Sequence, residues 1–261
     1  MGKVITLCNQ KGGTGKTTTA VNLGVYLAAK GKRTLLIDLD PQANATSALS
    51  LQPHRISPNL YHSLVGGVLP EDIVRETGIF GYHVFPSSPD LAGASVELVT
   101  QKNREFRLYD IVSRLRNVYD FILIDCPPSL GLLTLNGLVA ADEVIIPVQC
   151  EYYAMEGLGQ ILETVDLIRD NLQRDVKVMG ALLTMYDKRN RLARYITKEL
   201  RRNFPGYVFD AVIPRNVSLA EAPGYGKTIF QFDPDSQGAR AYQQFADEVI
   251  KVSSGAPRII I

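Results

Sequence analysis

The sequence predicts an α/β fold: a doubly wound, mostly parallel sheet with helices on both faces. Three observations carry that expectation. Apolar runs of strand length, such as "FILID" and "EVIIPV", are near-continuous in Val, Ile and Leu, as strands covered on both faces require. They alternate with helix-like segments along the chain, the signature of successive βα units. A glycine-rich turn separates the first strand from the first helix. With 261 residues, 46% of them apolar, the chain is long enough to bury roughly 70–75% of its unfolded surface in one piece. A single domain over residues 1–252 is expected, with 253–261, "SSGAPRIII", as a frayed, flexible tail.

In chain order, "KVITLCN" reads as a strand and the segment from Gly15 to about Lys30 as a helix. "RTLLIDLD" is a second strand. Weaker helices fill residues 59–75, "YHVFPSS" is a short strand, and helices follow near 89–100 and 104–117. "YDFILIDCPPS" is a strongly apolar strand leading to a helix over 131–141. "DEVIIPVQ" is a strand, 153–172 a long helix, and "VKVMGALLTMY" a strand. A basic helix over 190–203, the strand "YVFDAVIP" and a helix over 237–252 complete the order. No internal repeat or low-complexity tract interrupts it.

No apolar run approaches the ~18 residues of a membrane span. "MGKVITLCNQ" runs directly into a strand and is not expected to be a signal peptide. Cys8, Cys126 and Cys150 lie far apart, each in or beside an apolar strand, and are expected to be buried free thiols of a reducing cytosol.

The stretch "NQKGGTGKTTTAVN" departs from the phosphate-loop pattern G-x-x-x-x-G-K-[ST]. Gly15, Lys16 and Thr17 fill its end, but Gln10 stands where its first glycine belongs, and Lys11, Gly12 and Gly13 follow. Strand, glycine turn and helix start still place backbone N–H groups around an anion, which marks a P-loop NTPase. Gly12, Gly13 and Gly15 let the backbone approach phosphate, with Thr14 between them. Lys16 is expected on the β- and γ-phosphates, the Thr17 hydroxyl on Mg²⁺, and Thr18 on a phosphate further back.

Two acidic segments complete the pattern. "LLIDLDPQ" places Asp38 at a strand end and Asp40 just beyond, where open α/β sheets bind ligands. Asp40 is placed to orient an attacking water, or alternatively to form a turn before Pro41. Asp38 reads as a structural or outer-shell Mg²⁺ group. Asp125 ends the apolar strand "FILID" and is expected to bind Mg²⁺ directly or through water. "TMYDKRN" and "VIPRNVSLAEAP" each follow a late strand. Asn216 can donate to and accept from a base edge, and Met185 can cover a base face; strand-end packing is the alternative for Met185, Pro214 and Asn216.

The charge is uneven. Residues 186–205 carry Lys188, Arg189, Arg191, Arg194, Lys198, Arg201 and Arg202 against Asp187 and Glu199, a local net of +5 within a chain of net +1. On a helical wheel Arg191, Arg194, Lys198, Arg201 and Arg202 share one side, and Leu192, Ile196 and Leu200 another. A solvated helix face is the bland reading. With one sign dominant, binding to a phosphate backbone without sequence readout is the alternative.

"KGGTGKTT" is similar to the deviant Walker A motif of the ParA/MinD family of ATPases. "LLIDLDPQANATS", "DCPPSLGLLTLN", "PVQCEYYAMEGL", "LLTMYDKR" and "VIPRNVSLAEAPGYGK" extend the resemblance over nearly the whole chain, toward the chromosomal ParA branch often called Soj. The resemblance implies an ATPase using ATP and Mg²⁺, slow without its partner, that forms a homodimer with ATP. It implies that Lys11 is the signature lysine reaching the partner's nucleotide, that Lys16 and Asp40 are catalytic, and that Asp125 belongs to the D-x-P-P switch with Pro127 and Pro128. It places Pro214 and Asn216 beside the adenine. It implies nonspecific double-stranded DNA binding through Arg189, Arg215 and their neighbours, a ParB-type activator, and a cytoplasmic, nucleoid-associated location; the C-terminal segment, separately, is expected to give no membrane attachment. Ser218 stands where relatives often carry a basic residue.

Three other readings share the fold. A membrane-bound regulator of the MinD kind needs a basic amphipathic C-terminal helix, which "FADEVIKVSSGAPRIII" breaks at Ser253–Gly255 and Pro257. An electron-transfer ATPase like the nitrogenase iron protein needs cluster-ligand cysteines that these positions do not match. A small-molecule kinase or ligase needs an acceptor site that the sequence does not display.

Overall fold

The structure is a computed structural model, and it describes residues 1–151 and 154–255. Eight strands form one sheet in the order β3-β4-β2-β5-β1-β6-β7-β8. They are β1 (Lys3–Leu7), β2 (Thr34–Asp38), β3 (Arg75–Glu76), β4 (Tyr82–Phe85), β5 (Phe121–Asp125), β6 (Glu143–Gln149), β7 (Lys177–Tyr186) and β8 (Val208–Pro214). All pairings are parallel except that of the two-residue edge strand β3 with β4. The doubly wound, mostly parallel expectation therefore holds.

Period-two alternation assigns the strand residues to two faces. Ile5, Leu7, Leu36 and Leu123 join the core under α1 (Lys16–Ala29) and α12 (Gln237–Ser253), with α2 (Asn44–Ala48) and the short α11 (Ile229–Phe232) at its margin. Val4, Leu35, Ile37, Ile122 and Ile124 face the other side, under α3 (Leu60–Leu64), α4 (Pro70–Ile73), α5 (Leu91–Glu97), α6 (Arg107–Leu115) and α7 (Leu132–Ala140). Val144, Ile146, Ala181 and Leu183 continue that face under α8 (Ala154–Leu172) and α9 (Arg191–Asn203). Ile122, Leu123 and Ile124 are wholly buried, each worth about 1.5–3 kcal/mol relative to exposure. One close approach fixes α1 on the sheet: a Cβ at Gly24 would lie 2.4 Å from the Tyr82 hydroxyl, which donates to the Val21 carbonyl at 3.2 Å.

Register brings the site together. Leu7 pairs with Asp125, and Asp125 with Asp38, so the loops leaving β1, β2 and β5 start at one level.

Several expectations change. Residue 75, expected at the end of a helix, forms the edge strand β3 together with Glu76. The helix expected over 89–100 is α5 followed by a 3-10 turn, Leu98–Thr100. Three short helices were not expected: α2, α10 (Val217–Glu221) and α11. Ser253, placed in the tail by the sequence reading, ends α12; residues 256–261 lie outside the described residues.

Candidate nucleotide site and basic face

The loop after β1 is held by a side chain before it turns. Asn9 donates from Nδ2 to the Pro147 carbonyl at 2.7 Å and accepts from the Lys11 N–H at 3.1 Å. Gly13 and Gly15 then take left-handed φ values of +75° and +87°, a conformation that suits glycine. Nothing lies within 4 Å of a Cβ built at Gly12 or Gly13, so that side of the loop is open. α1 begins at Lys16 with no side-chain cap and no acidic residue in its first turn. Its first N–H groups and the positive end of its dipole are therefore available to an anion.

The two lysines go different ways. Lys16 is buried, 6% exposed, and its Nζ donates to the Lys11 carbonyl at 3.2 Å. Burial lowers its pKa, and the nearby Asp125 partly opposes this. Lys11 is half-buried and its Nζ pairs with Glu151 at 2.8 Å; Gln149 braces Glu151 from β6 at 2.5 Å.

The carboxylates also divide. Asp38 accepts from the Thr46 N–H at 2.8 Å, the Thr46 hydroxyl at 2.6 Å and the Asp40 N–H at 3.3 Å. It anchors α2 to β2, which favours the structural side of its expected role. Burial lifts its pKa to about 6 against these hydrogen bonds. Asp40 is 7% exposed; its Oδ1 accepts from the Gln42 N–H at 2.9 Å, and its carbonyl accepts from the Ser87 hydroxyl at 2.8 Å. The turn-forming geometry is thus present at Asp40 and compatible with either expected role.

Asp125 is fully buried, and neither carboxylate oxygen has a partner of hydrogen-bond geometry among the described residues. Burial, then the neighbouring Asp38, raises its pKa well above the usual carboxylate range; Thr17 and Lys16 beside it pull the other way. An orphaned buried carboxylate is costly. One placed beside a threonine hydroxyl at the mouth of an anion loop fits a hard, oxygen-binding cation. Thr17 and Asp125 are therefore the residues that would hold Mg²⁺.

A cavity of about 220 Å³ opens beside Gly15 and Thr18 and is lined by Met185, Pro214 and Asn216. The structure thus brings the three expected base-pocket residues together next to the loop. Asn216 caps α10 by accepting from the Leu219 N–H at 3.0 Å, a bond that uses its amide oxygen and none of its N–H donors. Tyr242, from α12, lines the same cavity and meets the Thr19 hydroxyl at 3.0 Å. No local sequence signal marks Tyr242, because it reaches the site from 223 residues away. A larger cavity, about 730 Å³ between α7 and α8, contains none of the loop residues; chemistry rather than volume locates the site.

Known proteins resemble this chain over nearly its whole length. A family model described as "AAA domain" matches residues 2–178. The chain is 48% identical to the chromosome partitioning protein ParA of Myxococcus xanthus over 96% of this chain and 89% of that one. It is 50% identical to the sporulation initiation inhibitor protein Soj of Bacillus subtilis, over 95% and 98% of the two chains. Among solved structures, one titled cobyrinic acid a,c-diamide synthase from Mycobacterium smegmatis, with bound ADP and magnesium, superposes with a TM-score of 0.87 at 36% identity, covering 98% of this chain and 97% of that one. The chain belongs to the ParA/Soj family.

The residues expected to give this ParA/Soj chain a DNA-binding face lie on and around α9. Asn190 caps the helix, accepting from the Leu192 and Ala193 N–H groups. Ala193, Ile196 and Leu200 face the core, and Leu192 is 38% exposed. The expected apolar side is thus corrected: at Leu192 the helix has already turned toward solvent, and Ala193 takes its place. Lys188, Arg189, Arg191, Arg194, Lys198, Arg201, Arg202 and Arg215 are all exposed. Two are engaged by acids: Arg189 pairs with Asp187 at 3.0 Å, and Arg201 with Asp210 at 3.4 Å. The Arg189 hydrogen bonds hold Asp187 at a pKa of about 2, with Arg215 adding to the pull. Among the described residues Arg191, Lys198, Arg202 and Arg215 make no ion pair. Tyr195, 60% exposed, stands on the same side of α9 as these basic residues. Ser218 donates to Asp233 at 2.6 Å, so the site of the missing basic residue is already occupied by an acid–hydroxyl contact.

No helix among the described residues is long and apolar enough to cross a membrane, and Cys8, Cys126 and Cys150 are buried and free.

Proposed function

We propose that this chain is an ATP-dependent DNA-partitioning switch. ATP lies along the loop, with its triphosphate on the N–H groups of residues 12–18 and Lys16, and its base in the cavity of Met185, Pro214 and Asn216. Thr17 and Asp125 would hold Mg²⁺, which would supply positive charge to the triphosphate. Two subunits close on the bound nucleotides, and Lys11 of each crosses to the other's triphosphate. Closure joins two α9 faces, so phosphate contacts too weak singly act together on nonspecific double-stranded DNA. Asp40 orients the hydrolytic water; hydrolysis, accelerated by a ParB-type partner, opens the dimer and releases the DNA. This places the chain in the cytoplasm, on the nucleoid.

One observation carries the reading: the buried Lys16 turned toward the loop, beside the half-exposed Lys11 held among the described residues by Glu151. A surface ion pair of that exposure is worth about 0–1 kcal/mol, and a triphosphate offers a far larger charge. Lys11 can therefore leave its own subunit when nucleotide supplies a better anion.

Binding to random-sequence duplex DNA without nucleotide, with ADP and with ATP–Mg²⁺ tests the proposal. Binding is expected with ATP–Mg²⁺ alone. A dimer making about six phosphate contacts should lose about 10³-fold in affinity between 50 and 200 mM salt. Binding indifferent to nucleotide would overturn the switch.

A further inference from the structure

The loop is braced from a strand that belongs to the base cavity. Thr184, near the end of β7, is 2% exposed, and its hydroxyl donates to the Thr14 carbonyl at 2.8 Å. Its own carbonyl accepts from the Cys150 N–H at 3.4 Å. Its methyl group lies 3.7 Å from where a Cβ on Gly15 would be. The next residue, Met185, has a left-handed φ of +52°, and both residues line the cavity with Pro214 and Asn216.

Thr14 sits between two residues that can swing. Gly13 and Gly15 have φ values of +75° and +87°, and glycine crosses between backbone regions more readily than any other residue. The 14–15 peptide turns about ψ of Thr14 and φ of Gly15, and the glycine on its far side leaves it able to rotate. In a trans peptide the C=O and the following N–H point in opposite directions. Holding the Thr14 carbonyl toward β7 thus aims the Gly15 N–H away from β7, toward the mouth of the loop. Were this peptide to flip, a carbonyl oxygen would face the anion where a donor is needed.

The geometry points to Thr184 as a positioning residue: its hydroxyl fixes the 14–15 peptide in the anion-receiving orientation, and so sets affinity for the triphosphate rather than the choice of base. This rests on the nucleotide reading above and assigns a role to a residue outside the loop. Preorganised backbone donors act without reorganising when the ligand arrives. Thr184 supplies that preorganisation from β7, 170 residues along the chain.

Calorimetric titration of the full chain with ATP–Mg²⁺ and, separately, with inorganic triphosphate–Mg²⁺ tests this. Thr184→Val keeps the shape and removes the donor. It should weaken both ligands by the same factor, about tenfold. Thr184→Ser, which keeps the hydroxyl, should restore both affinities. If the valine variant misfolds, Thr184→Ala, which also lacks the donor but cannot clash, is compared with Thr184→Ser in its place. Loss of ATP affinity with triphosphate affinity retained would make Thr184 a base-cavity residue and overturn the inference. A lowered melting temperature with both affinities unchanged would make its role structural and overturn it too. Wild-type protein that bound neither ligand would instead remove the nucleotide reading itself, and this inference with it.

Discussion

At the carboxyl end of the sheet, Lys16, Asp38 and Asp125 are 6%, 0% and 0% exposed, whereas on α9 Arg191, Arg194, Lys198 and Arg202 stand in solvent. Both regions concentrate charge, but they spend it differently. A buried charge needs a specific partner or a shifted pKa. Asp38 has Thr46, whereas Asp125 meets no partner in full hydrogen-bond geometry among the described residues and has Thr17 and Lys16 beside it, a setting that fits a bound cation. An exposed arginine needs no partner, contributes little alone, and acts by number. One region is therefore built for a single ligand in a single geometry, and the other for any surface of the right sign.

If that contrast is right, substitutions at the two ends should differ in kind. The largest effect belongs to the sheet end. Asp40→Ala should cut steady-state phosphate release by about 100-fold or more, while ATP-dependent dimerisation and DNA binding persist. Undiminished release would return Asp40 to the role of a turn residue.

Next is the pH response of the ligand-free protein. The folded pKa values of Asp38 and Asp125 are raised, so the folded state holds protons that the unfolded state has lost. The sign follows: stability from these groups grows as pH falls from neutrality through about 6 toward 4, and is lost as pH rises. For Asp38, a shift from 3.8 to about 6 corresponds to about 3 kcal/mol across that window. Asp125→Asn removes the second contributor. It should raise the melting temperature of the ligand-free protein at pH 7.5, flatten the pH dependence, and abolish the added stability from Mg²⁺ with nucleotide. A variant less stable than wild type at pH 7.5, still stabilised by Mg²⁺, would break the account of Asp125.

The smallest effect belongs to the exposed face. Lys198→Ala should leave melting temperature and ATP turnover unchanged and weaken DNA binding alike on all sequences. Because each subunit of a dimer loses one contact, the salt slope should fall by about 2. An unchanged slope would put the DNA surface elsewhere.

The parts of this molecule legible in sequence are those whose signal is local. The strands show as apolar runs, and the loop shows as residue types at fixed offsets after a strand. Asp125 shows because an acidic residue closes an otherwise apolar run. α2, α10 and α11 are too short for a helical period to emerge, and tertiary contacts rather than propensity hold such segments. The edge strand β3 exists only through its pairing with β4. Leu192 was misplaced because a wheel gives angles but not where the protein surface cuts them. Thr184, Tyr242 and Glu151 could not be read at all: each acts on the loop or its neighbourhood from another element, through contacts 140 to 223 residues apart in the chain.

The most direct test of the account is made at the lysine that the phosphate-loop pattern does not call for. Sedimentation of wild type and Lys11→Ala with saturating ATP–Mg²⁺, with bound ATP measured in the same samples, separates binding from closure. Both proteins should bind ATP, and only wild type should dimerise. A Lys11→Ala chain that dimerised with ATP as wild type does would contradict the crossing of Lys11 between subunits, and with it the assembly of the DNA-binding face by nucleotide.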